Sequence, residues 1–185
     1  MPADPVPDGD PLIQIILLLV LILVNAFYVA AEFAAVSVRR NMIREMAEGG
    51  SKVAAHLLRI LENTKELDRY IAACQFGITI SSLILGAYGQ VELSAYLLPL
   101  FERFGGMDSV MANSVAAIVV LVVLTVLQVI LGELMPKSLA LQFPKQAALY
   151  TYYPMRWTLT FFAWFIDFLN GSGLLLLKLF RLPPG

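Results

Sequence analysis

Three long runs of apolar residues constrain the fold of this chain more than any other feature. They cover about residues 12–36, 70–88 and 110–135, and a helix needs about 20 apolar residues to cross the hydrocarbon core of a bilayer. Hydrophobic residues make up 59% of the 185 residues. Because lipid cannot satisfy backbone polar groups, such runs fold as helices. We therefore predict an all-α membrane protein with three transmembrane helices.

The segments outside these runs are of three kinds. Residues 1–10 are Pro-rich and acidic, and we expect a disordered extracellular tail. Residues 11–182 form the transmembrane domain, and the Pro-Pro-Gly that follows is typical of a linker or a truncation point. Residues 41–67 are amphipathic. Gly49-Gly50-Ser51 divides them, so that Ser51 caps the second helix of a hairpin on the membrane surface.

The last apolar stretch, about residues 154–180, is long enough to cross but carries Asp167, Trp157 and Trp164. The distribution of positive charge decides its placement, because lysine and arginine accumulate on the cytoplasmic side. With the N-terminus outside and three crossings, only Arg103 lies outside. A fourth crossing would export two further basic residues. We predict a juxtamembrane belt helix on the cytoplasmic side of a multi-pass plasma-membrane protein, with a cytoplasmic C-terminus.

Composition also argues against several functional classes. The net charge of −1 gives no reason to expect a nucleic-acid partner. A single cysteine, Cys74, excludes an internal disulfide and a cysteine-based zinc site. No span contains a histidine that could activate Ser81 or Ser82 as a nucleophile, so we do not expect an enzyme.

The most informative polar residue is Glu133, in the sequence Leu-Gly-Glu-Leu-Met-Pro-Lys. A charged side chain deep in a bilayer costs roughly 2.5–3.5 kcal/mol on insertion scales. Three residues later, Pro136 lacks the N–H that would bond the carbonyl of Gly132 in a helix. A carboxylate and a freed carbonyl oxygen together suit a small hard cation. The alternative is an ion pair between Glu133 and Lys137 at the membrane edge.

Further oxygen donors lie in the other spans. Asn25 is near the middle of the first span, and Ser81 and Ser82 lie in the second. Each has a structural alternative, since polar residues often join transmembrane helices and serines often bond their own helix backbone. Adjacent helical positions point about 100° apart, so we expect at most one serine to face a given partner. An all-oxygen set suits Mg²⁺, Ca²⁺ or Na⁺.

Three motifs in this sequence resemble motifs of the CorC/CNNM magnesium transporter family. The first runs from Asn25 through Ala-Phe-Tyr-Val-Ala-Ala-Glu to the Arg39-Arg40 pair. The second is Gln-Phe-Gly-Ile-Thr-Ile-Ser-Ser over residues 75–82, and the third is the Gly-Glu-Leu-Met-Pro-Lys stretch at 132–137. The resemblance covers nearly the whole chain and concerns the transmembrane module of that family.

The resemblance implies a homodimer with an inward-facing Mg²⁺ site that moves Mg²⁺ across the plasma membrane, driven by Na⁺ exchange. It also implies cytoplasmic CBS domains, which we expect in the full-length protein outside residues 1–185. By motif position the implied metal ligands are Asn25, Ser82 and Glu133, with Ser81, the Gly132 carbonyl and Ser138 as weaker candidates. The main rival hypothesis is a membrane module that senses Mg²⁺ or acts as a scaffold but conducts nothing.

Overall fold

The computed structural model describes residues 10–106 and 108–179, and nearly all of them are helical. The regular elements, in chain order, are α1 (Pro11–Ser37), α2 (Arg40–Glu48), α3 (Lys52–Glu62), α4 (Thr64–Gly105), α5 (Ser109–Leu127), a π-helix (Gln128–Leu134), α6 (Met135–Gln142), α7 (Pro144–Phe161) and α8 (Ala163–Leu179). The described residues include no β-strand. The predicted all-α membrane fold is confirmed.

Three helical stretches are long and apolar enough to cross a membrane: Pro11–Ser37, Thr64–Arg103 and Ser109–Gln142. The predicted number of spans is therefore confirmed, but two of them are longer than expected. α4 continues past residue 88 through Pro99, and ends where Gly106 adopts a φ of 58°. The third stretch continues through Pro136. Neither Pro99 nor Pro136 ends the helical stretch that contains it.

The amphipathic segment folds as the predicted helical hairpin of α2 and α3. Ser51 caps α3, because its hydroxyl accepts a hydrogen bond of 3.3 Å from the backbone N–H of Ala54. Gly50 has a φ of 94°, a conformation that L side chains rarely adopt. Arg44 on α2 donates a 2.6 Å hydrogen bond to the carboxylate of Glu62, and this bond raises the pKa of Arg44.

The aromatic C-terminal segment differs from the single helix predicted over about residues 154–180. The structure contains two helices, α7 and α8, that meet at Phe162. α7 begins earlier than predicted, at Pro144, because proline has a preorganised φ and needs no hydrogen-bond partner at the start of a helix. Several large aromatic side chains of these helices are exposed, as expected for a segment at a membrane interface: Tyr150, Tyr153, Trp157, Phe161, Trp164 and Phe168.

The described residues divide into two compact units. The first consists of those within Met1–Ala26 and Thr79–Met135. Its packing relies on small residues: a Cβ at Gly89 would lie 2.5 Å from Leu124 and 3.0 Å from Leu18. The buried positions of α5 recur every four residues, at Ala112, Ala116, Val120 and Leu124. The other faces of α5 are exposed and mostly apolar, which suits contact with lipid.

The second unit consists of the described residues within Phe27–Ile78 and Pro136–Gly185. Its core buries small, aliphatic and aromatic residues from α1, the hairpin, α4, α6 and the C-terminal helices. Gly77 allows the Tyr28 ring to lie against α4, and the Tyr28 hydroxyl is 3.1 Å from the Thr158 hydroxyl. Arg69 and Asp167 form an ion pair at 3.0 Å, so Asp167 connects α8 to α4.

Candidate metal-binding site

Asn25 lies at the centre of a cluster of polar groups in the first unit. Its side chain is fully buried. Its Nδ2 donates a hydrogen bond of 3.0 Å to the backbone carbonyl of Gly132. Its Oδ1 accepts hydrogen bonds from the hydroxyls of Ser81, at 3.0 Å, and Ser82, at 3.1 Å. One amide thus joins α1, α4 and the π-helix. Three of the implied ligands, Ser81, Ser82 and the Gly132 carbonyl, are hydrogen-bonded to Asn25.

Both serines bond the same atom, and this corrects the expectation that at most one of them would face a given partner. The Cα–Cβ directions of adjacent helical residues diverge, but a hydroxyl is short and rotates about χ1. An acceptor between the two positions is therefore within reach of both. Other hydroxyls in the spans behave as the structural alternative predicted. Ser114 and Thr125, for example, donate to carbonyls four residues earlier in their own helix.

The position of the Gly132 carbonyl depends on local backbone irregularity. Gly132 is buried and lies in the π-helix Gln128–Leu134. π-Helical turns are rare and occur often at functional sites. A Cβ at residue 132 would lie 3.0 Å from Nδ2 of Asn25 and 3.5 Å from Cγ of Gln128. Glycine is therefore needed here because Asn25 approaches the backbone closely.

Gln128 is a member of the cluster that the sequence reasoning did not assign. Its Nε2 donates a 2.5 Å hydrogen bond to the hydroxyl of Ser82. The signal was available, because Gln128 is a polar residue in an apolar run, four positions before Gly132. The Ser82 hydroxyl consequently donates to Asn25 and accepts from Gln128. The Ser82 hydroxyl therefore links Asn25 to Gln128.

Glu133 follows Gly132 in the π-helix and is half-buried. Within residues 10–106 and 108–179, its carboxylate has neither a hydrogen bond nor an ion pair. The alternative pairing with Lys137 is not formed, and the Lys137 ammonium lies 4.5 Å from the centre of the Phe33 ring. Ser138, a weaker candidate, belongs to the second unit and is exposed. The Glu133 carboxylate is thus available as a ligand, and Glu133 directly follows Gly132 of the cluster in the sequence.

The chemistry of the cluster is that of neutral oxygen donors. The described part of the chain has no group of three or more His, Cys, Asp or Glu side chains that could hold a metal ion. The cluster instead offers an amide oxygen, two hydroxyls and a backbone carbonyl, with one carboxylate adjacent in sequence. Such oxygens are typical ligands of Mg²⁺ and Ca²⁺. The same bonds could also serve only to hold three helices together, as the alternative for Asn25 proposed.

Comparison with known proteins agrees with this architecture. Residues 16–185 match the family described as the Cyclin M transmembrane N-terminal domain, CNNM. The chain belongs to the CNNM family. It is 40% identical over 175 residues to UPF0053 protein YhdT of Bacillus subtilis, a match that covers 95% of this chain and 37% of YhdT. It is 37% identical over 169 residues to UPF0053 protein YugS of the same organism, covering 91% of this chain and 38% of YugS.

A more distant CNNM relative has a functional name. The polyamine export protein of Haemophilus influenzae is 25% identical over 170 residues, covering 91% of this chain and 38% of that protein. The chain thus spans less than two-fifths of the length of these three relatives. The predicted resemblance to the CorC/CNNM family is confirmed by these matches.

Proposed function

We propose that this chain is the membrane module of a magnesium transporter and that Mg²⁺ is its cargo. One observation carries the proposal: oxygens from α1, α4 and the π-helix meet at Asn25 inside a membrane-spanning unit. A polar cluster in such a place is unusual, because intramembrane polar groups carry an energetic cost and concentrate on ion pathways. Irregular backbone within a membrane likewise occurs where it is buried in protein or lines a cavity.

The proposed ligands are Asn25 Oδ1, the hydroxyls of Ser81 and Ser82, the Gly132 carbonyl and the Glu133 carboxylate. In the described arrangement the hydroxyls direct their hydrogens at Oδ1. Mg²⁺ binding would require these oxygens to turn their lone pairs toward the ion, so hydrogen bonds within the cluster are exchanged for coordination. Mg²⁺ dehydrates reluctantly, and a site with one carboxylate would keep some water. The resulting moderate affinity suits transport, which needs release as well as binding.

The remaining features of the proposal follow from the family and from the charge distribution. We propose an inward-facing site, a homodimer, exchange against Na⁺ and attachment to cytoplasmic CBS domains in the longer protein. The excess of lysine and arginine on one side of the three spans favours an extracellular N-terminus in the plasma membrane. The name of the Haemophilus influenzae relative, a polyamine export protein, supports transport of a cation by the family without identifying this cargo.

Measurement of Mg²⁺ flux into proteoliposomes that contain only the purified protein tests the proposal. Wild type should conduct, and Glu133→Ala should reduce the flux to less than about a tenth, because it removes the only carboxylate of the set. The matched control is Glu102→Gln, which neutralises a half-buried carboxylate of α4 that is no member of the set. Its flux should equal that of wild type.

Calorimetric titration of Mg²⁺ on the same samples separates transport from the rival function. A protein that binds Mg²⁺ through Glu133 but conducts none would be a sensor or scaffold, and the transport proposal would fail. Flux in Glu133→Ala equal to that of wild type, at equal reconstitution, would reject the site. Flux lost equally in Glu102→Gln would show that the loss is not specific to the proposed ligand set.

A further inference from the structure

We infer that one face of α7 binds the head group of an anionic phospholipid. α7 has a buried face, which packs into the core of the second unit with Ala148, Thr151, Tyr152, Met155 and Thr158. A helix on a water-exposed surface carries polar residues opposite its buried face. The opposite face of α7 instead exposes large aromatic side chains: Tyr150, Tyr153, Trp157 and Phe161. This face therefore contacts something other than bulk water.

The exposed aromatic residues fit the region where a membrane meets water. Trp157 is 79% exposed and Phe161 is 82% exposed. A contiguous apolar surface of this kind marks contact with a protein or a membrane. Trp and Tyr combine an apolar ring with a polar tip, and both are enriched at the level of the lipid head groups. Because this chain has three helices that can span a bilayer, lipid head groups are always close to it.

A cavity of about 590 Å³ opens on this face. All of its lining residues belong to α7, and they are Tyr153, Arg156, Trp157, Thr160 and Phe161. Their spacings of three and four residues place them along one side of the helix. The cavity wall thus combines aromatic ring surface with a single cationic side chain. Such a wall suits a molecule that has an anionic group next to an apolar body.

Arg156 provides the charge that selects this molecule. Its side chain is exposed and forms no ion pair with a carboxylate among the described residues. α7 itself contains neither Asp nor Glu. A guanidinium presents its N–H donors in a planar fork that matches the oxygens of a phosphate. The Tyr153 hydroxyl and the Trp157 indole N–H, which belong to residues of the same wall, are further donors. The donors of the wall therefore favour a phosphate.

Net charge and acyl chains distinguish among molecules that carry a phosphate. A zwitterionic head group brings its own cation, which offsets the attraction to Arg156. An anionic phospholipid retains its negative charge, and one arginine near it corresponds to a preference of about fivefold. A soluble phosphate has no acyl chain to cover the aromatic rings. The site lies in the second unit and uses none of the Asn25 cluster, so it is independent of the proposed Mg²⁺ site.

Tryptophan quenching by brominated lipids tests the inference on the purified protein in phosphatidylcholine nanodiscs. Trp164→Phe leaves Trp157 as the one tryptophan of the sequence, which has two. Phosphatidylglycerol brominated near the head group should quench Trp157 with an association constant at least about fivefold above that of phosphatidylcholine brominated at the same position. Arg156→Gln in this background should lower the ratio of the two constants to about one. The control Lys145→Gln removes a half-buried cation of the same helix and should leave the ratio unchanged.

Several results would overturn the inference. These are equal quenching by the two lipids, an unchanged ratio in Arg156→Gln, or an equal loss of preference in Lys145→Gln. Absence of quenching by either lipid would show that a protein surface, such as a second copy of this chain, covers the face. Protection of Trp157 by soluble glycerol phosphate would assign the cavity to a free anion. If Trp164→Phe is not monodisperse, the ratio for wild type and for Arg156→Gln, each with both tryptophans, decides the question.

Discussion

Replacement of Gly132 by alanine tests whether the Asn25 cluster depends on close approach of a side chain to the backbone. The new Cβ would lie 3.0 Å from Nδ2 of Asn25, closer than ordinary van der Waals contact. Asn25 cannot move away freely, because it is fully buried and holds hydrogen bonds to Gly132, Ser81 and Ser82. Relief of the clash must therefore lengthen or break at least the bond between Asn25 and the Gly132 carbonyl.

The magnitude follows from two contributions. Loss of the hydrogen bond lowers the free energy of unfolding by about 1 kcal/mol. Overpacking of a buried site lowers it by about 1–3 kcal/mol more. The control is Gly86→Ala, because a Cβ at residue 86 meets nothing within 4 Å. Since alanine in a helix is favoured over glycine by about 0.5–1 kcal/mol, the control should be neutral or stabilised. The two variants should differ by about 3 kcal/mol.

Thermal unfolding of the purified variants in detergent measures this difference, which corresponds to a gap in Tm of about 6–12 °C between Gly132→Ala and Gly86→Ala. Mg²⁺ flux in proteoliposomes should fall in Gly132→Ala and not in Gly86→Ala, if the Gly132 carbonyl is a ligand as proposed. Equal Tm values for the two variants would refute the steric reasoning. Reduced stability with unchanged flux would retain the packing argument and remove Gly132 from the ligand set.

Two further substitutions test the second unit. Gly77→Ala would place a Cβ 2.5 Å from the Tyr28 ring and force the ring away. This variant should lower the free energy of unfolding by about 2–4 kcal/mol. A Tm equal to that of wild type would contradict this contact. Ser51→Ala removes the side-chain cap of α3. It should lower the free energy of unfolding by about 1 kcal/mol in the same unfolding assay. A loss as large as that of Gly77→Ala would mean that Ser51 does more than cap the helix.

The parts of this fold that sequence predicts well are those set by local periodicity and length. The number of spans follows from apolar runs that only a bilayer can accommodate. The hairpin follows from Gly49-Gly50-Ser51, because the positive φ of Gly50 and the cap by Ser51 are local preferences. Three residues of the cluster are also candidates from sequence alone, since Asn25, Ser81 and Ser82 are polar residues in otherwise apolar segments.

The parts that sequence predicts poorly depend on tertiary partners. α4 extends to Gly105, well past residue 88, where the predicted second span ends, and Glu92 in this extension is hydrogen-bonded by the buried Gln14 of another helix. Gln128 is recognisable in sequence as a polar residue in an apolar run, but its partner Ser82 lies 46 positions away and is identified only by the structure. The turn at Phe162 between α7 and α8 has no glycine or proline to indicate it.

The third span shows how a local rule and a tertiary contact combine. Pro136 is predicted to free a backbone oxygen, because proline lacks an N–H and leaves the carbonyl four residues earlier without a partner. That carbonyl belongs to Gly132, and Asn25 Nδ2 bonds it at 3.0 Å. The helix can therefore continue through Pro136 into α6 with the freed oxygen satisfied. An oxygen whose partner is a side chain rather than the helix backbone can exchange that partner for a cation, as the proposed Mg²⁺ site requires.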